Sequence, residues 1–451
     1  MRDFDFFAVE DVARTIIQPF QRFFRREAIG GFLLVLASIV GLWFANSSFA
    51  DFYYKLLHTP ITISIGSLTL SKDVLHWINE GLMVFFFFLV GLEIKREFLV
   101  GELSRWKQAT LPVFAALGGM VVPALVYVAF NLGGPGESGW GVPMATDIAF
   151  ALACLSLLSG RIPIGLVVFL TALAIVDDIG GILVIALFYT DSISTWALIA
   201  GVGMLLLSFI LNRIGIRSTY PYAIIGVFLW LFFLKSGIHA TVAGFLMALT
   251  IPASTTIGHT EFVRRIKEQL CYLTGEKEDM NYCPVELEEE RKQSIIQSLE
   301  KTCFEAEAPL DHLEHNLHPW VGYFIIPLFA FANAGVEIDI AGFSSAINNE
   351  VFWGILVGLI VGKQVGILGF SFIAVRLGLG ALPKGVTWKT LYGAACLGGI
   401  GFTISLFIST LAFEDPALLQ VAKLSIFSAS LISMVMGIAV LWAFSEKREK
   451  K

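Results

Sequence analysis

Long runs of hydrophobic residues recur along almost the whole chain, with polar segments between them. Each run is about 18 to 25 residues long, which is enough for a helix to cross about 30 Å of hydrocarbon. The alternating pattern of barrel strands is absent from these runs. The pattern predicts an all-α polytopic membrane protein with about twelve transmembrane helices, at residues 29–49, 74–98, 109–131, 142–159, 163–189, 194–212, 219–234, 237–252, 318–336, 350–376, 388–411 and 419–444.

The composition indicates that a bilayer surrounds the protein. Of the 451 residues, 56% are hydrophobic and only 15% are charged, and the mean hydropathy is +0.76. A soluble domain could not cover that much apolar surface. We therefore expect the lipid bilayer, and no nucleic acid, as a partner. The first run follows a basic segment but is longer than a signal-peptide core, so it is predicted to be retained.

Five cysteines are scattered along the chain, and two of them lie inside hydrophobic runs. Their spacing matches neither a disulfide framework nor a zinc site. Cysteine chemistry is therefore not expected to be the function, and no cofactor is predicted.

The basic residues indicate which side of the membrane each loop faces. Twelve spans place both termini on one side, and of the 31 Lys and Arg residues only Lys55, Lys72, Lys235 and Lys423 fall on the other side. By the positive-inside rule, the termini are cytoplasmic. The predicted organisation is a cytoplasmic arm, a first membrane part, an acidic cytoplasmic insertion, a second membrane part and a basic tail, at residues 1–28, 29–253, 254–313, 314–444 and 445–451.

Two segments outside the spans have patterns of their own. Residues 59–71 alternate β-branched and polar residues around Ile65-Gly66, which predicts a short external β-hairpin. A hairpin edge can pair with a second copy, so we expect a homodimer through this hairpin. Residues 254–313 carry 13 acidic and 7 basic residues, a net charge of −6, and are interpreted as a solvated, partly helical insertion.

Ionisable residues inside the predicted spans are few, and each marks a candidate functional site because a charge at membrane depth is costly. Asp177 and Asp178 lie near the middle of the fifth span. Adjacent residues on a helix point about 100° apart, so the two carboxylates should have different partners. Lys363, deep in the tenth span, is the candidate counter-charge, since an unpaired ammonium would be unfavourable there.

Two predicted spans are interrupted. Pro143 and the Thr146-Asp147 step interrupt the fourth span, and the glycines of residues 396–405 interrupt the eleventh. Broken helices expose backbone groups and helix dipoles, which the membrane tolerates only around a polar cavity. Glycine runs also serve close helix packing, and that alternative stays open for the eleventh span. Spans three to five and ten to twelve each have the interrupted helix in the middle and run in opposite directions, an inverted repeat typical of secondary transporters.

Several motifs resemble those of the NhaA-type sodium/proton antiporters, a family that is itself a standard example of inverted repeats. They are ATDIAFAL (145–152), LTALAIVDDIGGILVIALFYT (170–190), VGLEIKRE (90–97), LKSGIHAT (234–241), LEHNLHPW (313–320), PLFAFANAG (327–335), GKQVGI (362–367) and GIGFTISLFI (399–408). The resemblance covers essentially the whole chain, with the acidic insertion as its main departure. It implies a transporter rather than an enzyme, which exports Na⁺ or Li⁺ across the bacterial cytoplasmic (inner) membrane in exchange for H⁺.

The resemblance also implies which residues bind the ions. Asp178 would be the principal Na⁺ ligand with Asp177 beside it, and Thr146, Asp147 and Lys363 would lie at the helix break. A buried carboxylate is costly to charge, so protons and a small hard cation would compete for its oxygens. If two protons leave as one cation binds, the exchange is electrogenic. The second proton could come from Asp177 or from Lys363, because coupled groups titrate as a set.

Control by cytosolic pH is a further implication of the resemblance. Histidine is the side chain type whose unperturbed charge changes near neutrality. The alternatives for the histidine pair in LEHNLHPW are a metal site and a solvated helix start. The residues assigned to pH sensing are Glu93, Arg96, Glu97, His239, Glu314, His315 and His318.

Two other function classes fit part of the pattern. An intramembrane aspartyl protease also needs two buried aspartates, but the sequence lacks its Gly-x-Gly-Asp signature and Lys363 would have no role. A passive cation channel could use acidic rings. Interrupted, inverted helices and titratable carboxylates beside a lysine nevertheless favour alternating access.

Overall fold

The computed structural model describes residues 29–65, 68–158, 160–190, 193–274, 289–337 and 340–445. These residues are mostly helical, with one two-stranded sheet. The first elements are α1 (Ile29–Ala45), α2 (Ala50–Leu57), β1 (Pro60–Ile65), β2 (Leu68–Asp73), α3 (Val74–Leu99), α4 (Trp106–Asn131), α5 (Ile148–Leu157), α6 (Ile164–Phe188), α7 (Thr195–Ile214), α8 (Thr219–Ser236) and α9 (Ala240–Thr250). The helices that follow are α10 (His259–Thr274), α11 (Glu289–Ala306), α12 (309–333), α13 (Ile340–Ile347), α14 (Glu350–Arg376), α15 (Trp388–Gly398), α16 (Phe402–Ala412) and α17 (Pro416–Phe444).

Long apolar helices dominate the described ranges. Eight are able to cross a membrane by length and composition, or ten if each of two bent pairs, α1 with α2 and α15 with α16, counts as one span. The prediction of a multi-pass helical membrane protein is confirmed, although fewer helices qualify than the twelve expected. The two expected spans that do not qualify are α9, whose 11 residues extend only about 16 Å, and α12, whose first turns are polar.

Most of the outer surface of the bundle and most of its interior are apolar. Large side chains such as Leu125, Ile199 and Val435 are exposed on the outer faces, while Leu92 and Phe407 are fully buried between helices. Exposed apolar faces of this extent suit lipid rather than water.

Strands β1 and β2 form an antiparallel hairpin between α2 and α3. The pairing runs from Pro60 opposite Asp73 to Ile65 opposite Leu68. The predicted two-stranded hairpin is thus confirmed, with bounds close to the expected 59–71. The turn residues, 66 and 67, lie outside the described residues.

The backbone departs from the α-helix in two places that build the site. A 3-10 helix, Glu137–Met144, is separated from α5 by residues 145–147, and α15 meets α16 at 42°. Pro143 removes one backbone donor from the first segment. In the second, a Cβ on Gly399 would lie 2.5 Å from the carbonyl oxygen of Leu359, so a larger residue would not fit without movement. This glycine therefore also serves close packing.

Helix α14 packs tightly along α4 and so positions Lys363. A Cβ on Gly366 of α14 would lie 2.1 Å from the carbonyl oxygen of Gly118 of α4. A π-helical turn, Gly358–Gly362, directly precedes Lys363, and such turns are rare and frequent at functional sites. The lysine side chain is consequently held in the interior with 0% exposure.

Helices α10 and α11 lie in the acidic insertion and contact each other. Arg265 of α10 donates to Glu305 of α11 at 2.8 Å. The two ends of the insertion meet where the backbone N–H of Leu310 donates to the carbonyl of Pro252 at 3.1 Å. The insertion therefore leaves and rejoins the membrane part at one point, next to the start of α12.

Candidate ion-binding site

Asp177 and Asp178 occupy the middle of α6 and are both buried, with 1% and 4% exposure. Successive helical residues point about 100° apart. The two carboxylates therefore face different surroundings, which are described in turn.

The Asp177 carboxylate faces a lysine and a threonine. Its Oδ2 accepts hydrogen bonds from Lys363 Nζ and, at 2.7 Å, from Thr146 Oγ1. Lys363 Nζ also donates to Thr146 Oγ1 at 2.9 Å. We call these three residues the ion-pair cluster. Their arrangement compensates both buried charges, each of which would be very costly alone.

The Asp178 carboxylate faces a cavity of about 680 Å³ that also reaches Asp147, Thr403 and Thr146. The Oδ1 atom of Asp178 has no hydrogen-bond partner among the described residues. We call Asp178, Asp147 and Thr403 the cavity cluster. Carboxylate and hydroxyl oxygens are ligands that hard cations prefer. The cluster can therefore offer oxygen ligands to a cation that enters the cavity.

Asp147 forms hydrogen bonds at both helix breaks, which are residues 145–147 before α5 and the junction between α15 and α16. As the N-cap of α5, its Oδ1 accepts from Phe150 N at 3.0 Å, and its Oδ2 accepts from Thr403 N at 3.0 Å and Thr403 Oγ1 at 2.6 Å. Its own N–H donates to the carbonyl of Ile400 at 2.6 Å. The first N–H groups of a helix lack partners within the helix and carry partial positive charge. One carboxylate thus satisfies donors at the starts of both α5 and α16.

Charged residues from α3 and α12 line the same cavity. Glu314 is 8% exposed and forms an ion pair with Arg96. Burial raises the pKa of Glu314, and the Arg96 charge opposes that rise. Six of the seven residues predicted to sense pH line the cavity, namely Glu93, Arg96, Glu97, Glu314, His315 and His318.

The seventh predicted sensor, His239, lies elsewhere. It directly precedes α9, where its Nε2 contacts the carbonyl of Tyr189. At the other end of α9, the carbonyl of Leu249 accepts from Lys95 Nζ at 2.7 Å, next to Arg96 of α3. The length of α9, about 16 Å, separates the two ends. The structure therefore does not bring His239 to the cavity.

The metal-site alternative for His315 and His318 requires further ligands nearby. Within the ranges that the structure describes, no group of three or more His, Cys, Asp or Glu residues could hold a metal ion. The histidines instead lie with acidic and basic side chains along the cavity.

Comparison with known proteins assigns the family. The family described as Na⁺/H⁺ antiporter 1 matches residues 21–441. A Na⁺/H⁺ antiporter NhaA of Syntrophobacter fumaroxidans is 47% identical over 436 residues, which cover 97% of this chain and 92% of the relative. NhaA proteins of Oleidesulfovibrio alaskensis and Wolinella succinogenes are each 46% identical over 434 residues, covering 96% and 95% of this chain and 96% and 94% of the relatives. The chain belongs to the NhaA-type Na⁺/H⁺ antiporter family.

Membership of the NhaA-type family classes the chain with transporters rather than enzymes. The match extends over both membrane parts, so it includes α6, both helix breaks and Lys363. The aspartyl protease alternative finds no support in this classification.

Thr403 is the residue of the cavity cluster that the sequence pattern does not predict. It lies within the motif GIGFTISLFI, in the first turn of α16 after the glycine break. An uncharged threonine beside a glycine break is not unusual in an apolar run, so its position gives no signal of its own. Its partner Asp147 is 256 residues away, so only the folded chain shows the contact.

Proposed function

We propose that this chain exports Na⁺ or Li⁺ in exchange for protons across the bacterial cytoplasmic membrane. The observation that carries the proposal is the buried Asp178 carboxylate, which has an unpartnered oxygen and lines a cavity with further oxygen ligands. Membership of the antiporter family supports it, as do the names of the relatives.

Exchange would follow from competition for the Asp178 oxygens. A charged carboxylate without a counter-charge is unfavourable in the interior, so either a proton or a cation must accompany it. A cation that enters the cavity supplies the positive charge and displaces the proton. Exposure of the cavity cluster to each side in turn then couples the two fluxes.

The ion-pair cluster would supply a second proton. Asp177 and Lys363 share a hydrogen bond, so their protons come off as a coupled set and either residue can be the donor. If two protons move for each cation, every cycle moves net charge across the membrane. The membrane potential then contributes to driving cation export.

We further infer twelve crossings with both termini in the cytoplasm. The ten qualifying spans, together with α9 and α12, give this number. Helices α4 to α6 and α14 to α17 form the two inverted units of the proposal, each with a helix break in the middle. The hydrogen bond from Asp147 N to the carbonyl of Ile400 joins the two breaks, as expected for a site at the centre of inverted repeats.

Cytosolic pH would control the exchange through the charged residues along the cavity. The Arg96–Glu314 ion pair links α3 to α12, so its protonation state can bias the packing of these helices. Glu307 and Asp311 also line the cavity, so the end of the acidic insertion contributes to its field. His239 is a separate candidate, because it lies at the far end of α9.

A second copy of the chain would pair through the external hairpin. Ile61 and Ile63 of β1 are exposed, and each strand of the two-stranded sheet has one edge without a partner within the described residues. Open edges of this kind favour pairing with another strand. Each protomer of the proposed homodimer has its own complete ion-binding site.

The exchange is tested in everted membrane vesicles that hold an acid-inside gradient. Added Na⁺ or Li⁺ should discharge the gradient only when the vesicles contain this protein, and added choline should not. A passive cation channel would admit Na⁺ without consuming the proton gradient. A gradient that is insensitive to Na⁺ and Li⁺ at every pH would contradict the proposal.

A further inference from the structure

Thr403 has a hydroxyl group whose orientation is fixed. Its Oγ1 donates to Asp147 Oδ2 at 2.6 Å, and its backbone N–H donates to the same oxygen at 3.0 Å. The residue is 5% exposed. The first hydrogen bond orients the hydroxyl group, and the second holds the backbone of Thr403 against the same carboxylate oxygen.

The lone pairs of Thr403 Oγ1 are left for a ligand. A hydroxyl group has one hydrogen to donate and two lone pairs, and no donor in the described part of the chain is directed at this oxygen. Donation to a charged carboxylate polarises the hydroxyl and makes its oxygen a better acceptor. Thr403 lines the same cavity as Asp178, whose buried Oδ1 has no hydrogen-bond partner.

Thr146, at the other helix break, is engaged differently. Its Oγ1 accepts from Lys363 Nζ, and its hydrogen is directed at Asp177 Oδ2 or at the carbonyl of Gly398. This hydroxyl therefore belongs to the ion-pair cluster. Of the two threonines at the breaks, Thr403 is the one that keeps both lone pairs for the cavity.

We propose that Thr403 Oγ1 is a neutral oxygen ligand of the transported cation, which it binds together with Asp178. Asp147 is then a positioning residue that orients this ligand. The inference rests on the proposed exchange of Na⁺ for protons. A hard cation requires several oxygens, whereas a proton requires one. A neutral ligand consequently strengthens cation binding without adding a second group that binds a proton, and it biases the competition toward the cation.

Three substitutions at this position separate the hydroxyl from the rest of the side chain. Thr403→Val keeps the shape of the side chain and removes the hydroxyl group. Thr403→Ala removes the hydroxyl group and the methyl group. Each should raise the KM for Na⁺ about tenfold, the effect of losing one contact to a charged group, and leave Vmax at saturating Na⁺ within about twofold. Thr403→Ser retains the hydroxyl and should keep a KM close to that of the parent.

Thr410→Val is the matched control. Thr410 lies on the same helix, and its hydroxyl donates to the carbonyl of Phe407 at 2.7 Å rather than to a residue of the site. This variant should have parent-like KM and Vmax. A KM change in Thr410→Val as large as in Thr403→Val would show that loss of any hydroxyl from α16 disturbs transport and would overturn the assignment.

The pH dependence distinguishes a cation ligand from a structural role. Because the cation competes with protons, Thr403→Val should shift the activity profile toward alkaline pH at low Na⁺ but not at saturating Na⁺. An unchanged KM, or the same loss of Vmax at every Na⁺ concentration, would overturn the proposal. If the parent protein shows no Na⁺-dependent discharge, the proposed exchange itself fails, which is a separate result.

Discussion

Asp177 and Asp178 are adjacent and almost equally buried, but one belongs to a closed ion pair and the other lines a cavity. In the described ranges, Oδ1 of each aspartate has no hydrogen-bond partner. Oδ2 of Asp177 accepts hydrogen bonds from Lys363 and Thr146, whereas Asp178 lines the cavity. One step of about 100° around α6 produces this difference. The comparison indicates that the chemistry of a buried carboxylate depends on the source of its counter-charge. The fold supplies a lysine to Asp177, whereas a positive charge for Asp178 would have to enter through the cavity.

The two clusters are nevertheless joined by a single non-helical segment. Thr146 belongs to the ion-pair cluster and Asp147 to the cavity cluster, and the two are consecutive in residues 145–147. A change in charge at either cluster acts on the same short stretch of backbone. This connection offers a physical basis for coupling between the cavity cluster and the ion-pair cluster.

The largest expected effect on exchange is at Asp178, in the cavity cluster. Asp178→Asn keeps the volume but removes the charge that attracts the cation, so Na⁺-dependent discharge of the gradient should fall to the level of vesicles without the protein. Membrane insertion should remain normal. Asp51→Asn, at an exposed aspartate in α2, is the control. Near-normal exchange by Asp178→Asn would contradict the proposal that the cavity cluster binds the cation.

Substitution of Lys363, in the ion-pair cluster, is expected to reduce stability as well as transport. Lys363→Ala leaves Asp177 as a buried charge without its counter-charge, which typically costs about 3 to 5 kcal/mol. Thermal stability in detergent should therefore fall together with transport. Unchanged stability with lost transport would instead favour Lys363 as a direct carrier of a proton.

A double variant controls this interpretation. Lys363→Ala combined with Asp177→Asn removes both charges, so it should recover much of the stability that Lys363→Ala alone loses. A double variant as unstable as the single one would indicate that Lys363 acts through packing rather than through its charge.

A smaller effect is expected at the Arg96–Glu314 pair. Burial raises the pKa of Glu314 and the Arg96 charge lowers it, so removing Arg96 should raise that pKa further. Deprotonation of Glu314 then requires a more alkaline cytosol, and Arg96→Ala should move the activation of exchange to higher pH by about one unit. Arg96→Lys keeps the charge and serves as the control. A shift to lower pH would contradict the assignment.

The acidic insertion should change the pH profile by less. Deletion of Glu261 to Glu307 removes negative charge near the cavity, which makes deprotonation there easier. Maximal exchange should be preserved and activation should move to lower pH. The contact between Leu310 and Pro252 brings the flanking segments together, so a short linker can join them.

Salt and point variants identify the cause of this shift. High ionic strength should reduce the difference between deletion and parent, because the screening length is about 8 Å at physiological salt. Glu307→Gln, which neutralises a residue on the cavity, should give a smaller shift in the same direction, and Glu300→Gln on α11 should give none. If the deletion leaves the pH profile of exchange unchanged, the insertion is instead a spacer or a partner-binding arm.

The smallest effect on exchange is expected at the hairpin. Deletion of Pro60 to Ser71 removes the proposed strand contact, so dimers should dissociate while each protomer, with its own α6 and cavity, still exchanges ions. Sedimentation in detergent and vesicle assays measure the two outcomes separately. A monomeric parent protein would refute the contact.

Local properties of the sequence predicted most of the fold. Length and apolarity are read from neighbouring residues, so α6 and α14 lie within a residue or two of the predicted 163–189 and 350–376. The predicted first span, 29–49, is shorter in the structure because α1 ends at Ala45 and the chain turns by 114° into α2.

The contacts of the site depend on residues that are distant in the sequence. Lys363 is 186 residues from Asp177, and Thr403 is 256 residues from Asp147. A buried lysine was a visible signal because its charge is unfavourable in an apolar run, whereas a threonine at a glycine break is not. The position of His239 was not predictable for a similar reason, because its distance from the cavity depends on how α9 packs.

The proposed competition between proton and cation at Asp178 is tested most directly by measuring proton release. The purified protein is placed in weakly buffered detergent solution near its activating pH, and NaCl is added with choline chloride as the ionic-strength control. The parent protein and Asp51→Asn should release protons in a saturable manner, and Asp178→Asn should release none. Na⁺ binding without proton release by the parent, or equal release by Asp178→Asn, would contradict the account.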